Sequence, residues 1–227
     1  MTTSNVRIRE LVEKGALPPE QASDLLAALK GPGAPRRPSL LLDPLMRFGG
    51  EWLSLVGLLA VLAGAALGRL RINFDGFLDM HIGSHALSLP EVALQALVAW
   101  PLGAILLWLA SLLAGRQGRF VDFLGVVGAA RVPLVLFTLP MAALVLIDPP
   151  PVLQPGQMPQ LRPAMLALSL LVLVGIGWCV ALEYRGFVTA SGLKGARRWI
   201  AFVVAALSAE ILAKMLLFFA YRSLGLL

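Results

Sequence analysis

Charge is what this chain is short of. Only 14% of its 227 residues are charged, while 58% are hydrophobic. An ordinary soluble domain carries about 25% charged residues, so a large water-facing surface is excluded and a bilayer solvent is implied. There is one cysteine, Cys179, set within an apolar run. It cannot close an internal disulfide and reads as a small packed apolar side chain. Histidine is nearly absent too: His81 and His85 fall in one short segment, distant in sequence from any candidate nucleophile. The chain holds no phosphate-binding glycine loop, no HExxH and no nucleophile elbow. These absences point away from an enzyme, a resident metal or a cofactor. The net charge of +6 would suggest nucleic acid for a soluble chain. No interleaving of basic and aromatic residues supports that reading, so nucleic acid is not expected as a partner.

What the chain has is long apolar runs. Five can be drawn: Trp52 to Leu70, Val92 to Ala114, Val121 to Ile147, Ala164 to Leu182, and Trp199 to Tyr221. Each meets the roughly 17–25 residues needed to cross the hydrocarbon core. The expected architecture is all-α: a polytopic bundle of about five transmembrane helices carrying a small cytoplasmic helical hairpin. The first run starts too far along the chain for a cleaved signal peptide and is expected to remain as an anchor. The third contains Pro133 and Pro140, which remove backbone donors and are expected to kink the helix.

The cations set the expected orientation. Thirteen lie before the first run, between the second and third, and between the fourth and fifth; four lie in the opposite set. The positive-inside rule then places the N-terminus in the cytoplasm and the C-terminus outside. The outer loops differ in composition. Residues 148–163 (DPPPVLQPGQMPQLRP) favour extended backbone. Residues 71–90 gather Asp75, Asp79, His81 and His85, whose spacing matches no strong metal signature. That loop is expected to be solvated, with Phe74, Phe77, Leu78 and Ile82 letting it lie in the lipid interface.

Three ionisable residues fall inside the runs: Arg131, Glu210 and Lys214. Charges there cost about 2.5–3.5 kcal/mol on insertion scales, so they face the protein interior and find partners. Arg131 lies ten residues into its run and Glu210 eleven into its own. At about 1.5 Å per residue the two share a depth and are expected to pair. Lys214, one turn beyond Glu210, is expected to reach toward water. The alternative use of the same charges is a substrate or ion path through a transporter or channel component. Gly64 and Gly68 form a GxxxG pair, a helix-packing face.

The organisation expected is a hairpin over residues 1–31, a Pro/Gly-rich linker and juxtamembrane segment over 32–50, and the membrane domain over 51–227. In the hairpin, Ile8, Leu11 and Val12 form one apolar stripe, and Ala22, Leu25, Leu26 and Leu29 another, with Gly15 as a helix stop between them. So short a segment buries little core alone, so Leu11, Leu17, Leu25, Leu26 and Leu29 are candidates for a partner-binding face. The stretch resembles SHOCT-like helical hairpins through Leu11, Gly15, Leu17, Pro19, Glu20 and Ala22, although Pro18 stands where a Ser or Thr cap is usual. That resemblance implies interaction or oligomerisation.

From about Asp43 onward the layout resembles the Yip family of Rab-GTPase-interacting five-span membrane proteins. Phe120, Leu124, Gly128, Ala130 and Pro133 carry one part of the match; Ser191, Lys194 and Ala196 carry another. The family's Tyr-Ala pair is replaced by Ala129 and Ala130. Composition and hairpin resemble bacterial members. The resemblance implies a non-enzymatic scaffold or accessory subunit in the bacterial inner membrane, in contact with lipid. Its expected partners are other membrane proteins, an ABC-type exporter among them, or a second copy of the chain.

Overall fold

The computed structural model describes residues 41–83, 85–116, 118–150 and 162–225, together with residues 8, 10–15, 17, 18, 20–23 and 26. The chain divides into two units, Met1–Pro38 and Ser39–Leu227. In the first, the described residues are helical over 10–13 and 20–23. Gly15 turns the chain at φ 68°, in the left-handed region that glycine adopts without strain. Ala22 is buried and Leu11 is exposed, while Leu25 and Leu29 lie outside the described residues.

The second unit is an all-α polytopic membrane bundle. Its helices are α1 (Leu45–Gly68), α2 (Leu89–Leu113), α3 (Phe120–Ile147), α4 (Pro163–Ser191) and α5 (Ala196–Ser223). All five are long and apolar enough to cross a membrane. They match the five expected runs. Each starts before its run, α1 and α2 stop one or two residues short of its end, and α4 and α5 continue past it, because a helix continues beyond the hydrocarbon wherever its ends can be satisfied. α1 starts at Leu45 with a break at Gly49 (φ 71°, ψ 167°). α2 is fixed by a capping box: Ser88 Oγ accepts from the Glu91 N–H, and Glu91 Oε2 accepts from the Ser88 N–H at 2.6 Å. α4 ends at Gly192, whose left-handed backbone donates to Val188 at 2.9 Å. α3 runs through Pro133 and Pro140, and α2 through Pro101, with no non-helical residue inside either.

α3 is the centre of the bundle. Half of its apolar window is buried, against 22–33% for the other helices. It packs on α1, α4 and α2, while α5 packs on α2. The α1–α3 crossing is made by glycines: a Cβ on Gly57 would lie 2.5 Å from Gly128 Cα, and one on Gly125 2.5 Å from the Gly50 carbonyl oxygen. Small residues let backbones meet where no hydrophobic effect between helices is available. The Gly64–Gly68 pair is used differently. Gly64 faces the Phe74 ring, and Gly68 faces Leu87 and Val92, so this GxxxG receives the loop between α1 and α2 and the start of α2. Aromatic contacts join α4 to α5, with Tyr184 stacked on Trp199 at 3.7 Å and Phe187 against Phe202.

A loop anchored by charges inside the bundle: candidate functional site

The segment between α1 and α2 begins at Arg71, the one non-glycine residue with positive φ (68°) among the described residues. Its guanidinium donates to the carbonyls of Gly83 (3.0 Å) and Pro150 (3.1 Å), fixing the turn from both sides. Two residues on each side then pair as antiparallel strands, β1 (Ile72–Asn73) and β2 (His81–Ile82), with Ile72 opposite Ile82 and Asn73 opposite His81. The loop between them folds inward. Ile72 and Phe77 are 0% and 1% exposed, and Phe74 8%. Phe77 belongs to the main core with Leu107, Phe123 and Val127, and Gly103 of α2 leaves the space its ring occupies. This corrects the expectation of a solvated or interfacial loop. Sequence shows the aromatic content, but the direction in which it is buried depends on a gap between helices.

Backbone driven into an apolar bundle must have its polar groups satisfied within the protein. Arg131 and Glu210 do this. Arg131 Nη2 donates to the Gly76 carbonyl at 3.3 Å, and the Leu78 N–H donates to Glu210 Oε2 at 2.9 Å. Both side chains come from near the middle of their helices, α3 and α5. Gly76 gives room here, since a Cβ would press on the Glu210 carboxylate and on the Asp79 Cβ. The expected direct Arg131–Glu210 ion pair is not formed. Among the described residues, neither group has the other within 4.0 Å, although Glu210 is close enough to act on the Arg131 charge. The cause is the inserted loop, which accepts a hydrogen bond from Arg131 at Gly76 and donates one to Glu210 from Leu78.

Lys214 is also an anchor, with its side chain half exposed. Its Nζ lies 2.5 Å from Asp79 Oδ2 and 3.6 Å from Glu210 Oε1. His81 Nδ1 lies 3.4 Å from Asp75 Oδ1 and 3.7 Å from Asp79 Oδ2. Buried Asn73 sits against the other ring nitrogen at 3.4 Å. The Asp75 hydrogen bond, aided by the charges of both aspartates, holds His81 above its usual pKa against the effect of its partial burial. Burial opposes the Asp75 charge, but His81 and Lys214 outweigh it and hold that carboxyl below its usual range. The ligand atoms of Asp75, Asp79 and His81 lie within 4.8 Å of one another, close enough to share a cation. Lys214 already supplies positive charge to Asp79, so a metal ion would compete with an ammonium. His85 turns to Glu91 instead, at 3.1 Å.

Sequence reasoning missed Glu183. It is 0% exposed in α4, one residue beyond where the expected run stops. Its Oε1 lies 3.8 Å from Cys179 Sγ, its Oε2 has no hydrogen-bond partner, and it is near enough to Arg131 to act on its charge. Sequence shows an acid at the end of an apolar run, followed by Tyr184 and Arg185, which reads as a span boundary. Beside Arg131 lies a small cavity of about 30 Å³, bordered by Gln95, Phe74 and Gly64. That is room on the order of one or two water molecules. A larger apolar groove of about 610 Å³ opens between α1, α3 and α4, walled by Trp52, Val56, Pro133, Leu136 and Trp178.

The arrangement ties the loop between α1 and α2 to the middle of α3 and α5 through two opposite charges. No curated protein and no solved structure matches the chain. The Yip1 domain matches residues 39–218, which takes in all five spans almost to the end of α5, and the protein therefore belongs to the Yip1 domain family.

Proposed function

We propose that this multi-pass membrane protein is a non-enzymatic scaffold or accessory subunit that assembles with other membrane proteins. The observation that carries this reading is the use of the intramembrane charges. Arg131 and Glu210 are engaged with the backbone at Gly76 and Leu78, and Phe77 fills the space between helices. Charges that line a path face water, whereas these face a packed loop with room beside Arg131 for about one or two waters. Membership of the Yip1 domain family and the lipid-facing apolar surfaces of α4 and α5 agree with this reading.

The finer parts of the proposal rest on sequence. The cation asymmetry favours a cytoplasmic N-terminus and an external C-terminus in a bacterial inner membrane. The head over residues 1–31, with its SHOCT-like pattern, serves as the contact for a partner or for a second copy. An ABC-type exporter is the partner class named by the resemblance. The second reading is a transporter or channel component, favoured by the unpartnered Glu183 Oε2 and Arg131 Nε.

Reconstitution separates the two. Proteoliposomes of the purified chain should be no leakier to protons and monovalent ions than empty vesicles. Gentle purification from native membranes should recover a stoichiometric membrane partner or a defined oligomer. Ion flux abolished by Glu183→Leu, with no stable partner recovered, would overturn the scaffold reading.

A further inference from the structure

A second surface lies away from the loop, where α2 ends and α5 begins. An open groove of about 510 Å³ runs between them, walled by Leu113 and Ala114 on one side and by Ile200 and Val204 on the other, with Arg197 in its wall. Leu113, Ile200 and Val204 are 89%, 64% and 59% exposed, so this apolar slot is left uncovered by the chain's own helices. Such a volume falls within the range of about 300–1,000 Å³ typical of small-molecule sites.

The segments that flank this groove carry only cations. Residues 103–118 and 184–209 contain Arg116, Arg185, Lys194, Arg197 and Arg198 and not one Asp or Glu. Among the described residues none of these five cations joins an ion pair within 4.0 Å. Arg119, by contrast, is held by Glu51 and Asp122. The buried Nε of Arg198 has no hydrogen-bond partner. α5 starts at Gly195 with no side-chain cap and no acid in its first turn. Its first N–H groups therefore point out of the helix without a side-chain acceptor, an arrangement that attracts an anion.

We propose that this groove binds one anionic phospholipid. Its phosphate is held by Arg197 and the first turn of α5, within the field of the neighbouring cations. One acyl chain lies against Leu113, Ile200 and Val204. Arg197 stands in the apolar wall itself, so the occupant must join an anion to a hydrocarbon chain, and the surrounding membrane supplies that molecule. Basic pockets between transmembrane helices hold anionic head groups by the same physics. The larger groove between α1, α3 and α4 provides the internal contrast. No charged residue lines it, whereas Arg197 stands in the wall of the smaller groove.

Native mass spectrometry of the full chain, with phosphatidylglycerol or phosphatidylcholine added to detergent, tests this. The expected result is selective retention of one phosphatidylglycerol. Arg197→Gln should weaken that retention about fivefold, and Arg197→Lys should keep most of it. Val204→Trp, which fills the slot and leaves every cation in place, should weaken retention of both lipids. Val56→Trp, in the other groove, should leave the phosphatidylglycerol selectivity unchanged. Soluble glycerol phosphate in excess should fail to displace the lipid. Equal retention of the two lipids would overturn the proposal. So would an Arg197→Gln variant that folds and binds as before, or displacement by glycerol phosphate, which would identify a free-phosphate site.

Discussion

Arg131 and Glu210 come from the middle of two different helices and hold two backbone groups of one loop, the Gly76 carbonyl at 3.3 Å and the Leu78 N–H at 2.9 Å. The charges are spent on the loop and not on each other. This predicts how their removal behaves. Arg131→Leu should cost about 3–5 kcal/mol, because the fully buried Glu183 loses the nearby positive charge and the Gly76 carbonyl loses its donor. Glu210→Leu should cost about 1.5–3 kcal/mol, the value of a hydrogen bond to a charged group. Glu210→Gln keeps an acceptor for Leu78 and should be milder. In thermal unfolding in detergent, the double Leu variant should lose nearly the sum. Recovery of more than about 1 kcal/mol in the double variant would indicate a direct pair instead.

The glycines divide into two grades. Gly57→Ala places a methyl 2.5 Å from Gly128 Cα, backbone against backbone, and neither side can yield without moving a helix. It should cost at least about 1–3 kcal/mol, the range for overpacking. Gly64→Ala meets only the Phe74 ring at 3.4 Å, and should change the unfolding midpoint little. Equal effects from the two variants would be inconsistent with a glycine-mediated α1–α3 crossing.

The cluster of His81, Asp75 and Asp79 should make stability depend on pH. His81 is raised above its ordinary 6.5, chiefly by Asp75 and further by Asp79, against burial and the Lys214 charge. A raised folded-state pKa contributes stability that is complete below about pH 6.5 and is lost as the pH climbs through the folded value. Asp75 is held below its ordinary 3.8, so its contribution is present above that value and is lost on acidification through the lower one. Both contributions are complete between about pH 4 and pH 6.5. The melting temperature should therefore fall as pH rises from about 6.5 to 8.5, and His81→Gln should flatten that slope. A His81→Gln profile identical to the parent's would remove His81 as the cause.

Orientation is tested by fusion. Alkaline phosphatase joined after Leu227 should be active, and the same enzyme placed in the loop at Lys194 should be inactive, given the concentration of cations at that end of the bundle. Activity at Lys194 with silence after Leu227 would reverse the assignment.

The spans were legible because insertion into a bilayer is a sum of transfer free energies over consecutive residues, a local property. Five apolar runs gave five helices, and Gly15 marked a turn that the structure also makes. Hydropathy read the end of the fourth span less well. Its expected run stopped at Leu182, before an acid, although α4 continues to Ser191 with Glu183 buried completely. A carboxyl can be buried where a cation such as Arg131 stands near it, and no local sum contains that information.

What the amino-acid sequence alone determined is therefore the membrane class, the number of crossings, the uneven distribution of cations, and the presence of Arg131, Glu210 and Lys214 among apolar residues. What only the tertiary structure decided is which groups meet. Helices that are apolar on nearly every side carry no stripe to mark an inward face, so their rotations cannot be read from periodicity. Those rotations bring Gly57 to Gly128, while Gly64 is left to receive Phe74. They also open the space that Phe77 fills. Once the loop is inside, its backbone groups require partners, and Arg131 and Glu210 stand at the depth where Gly76 and Leu78 must be satisfied.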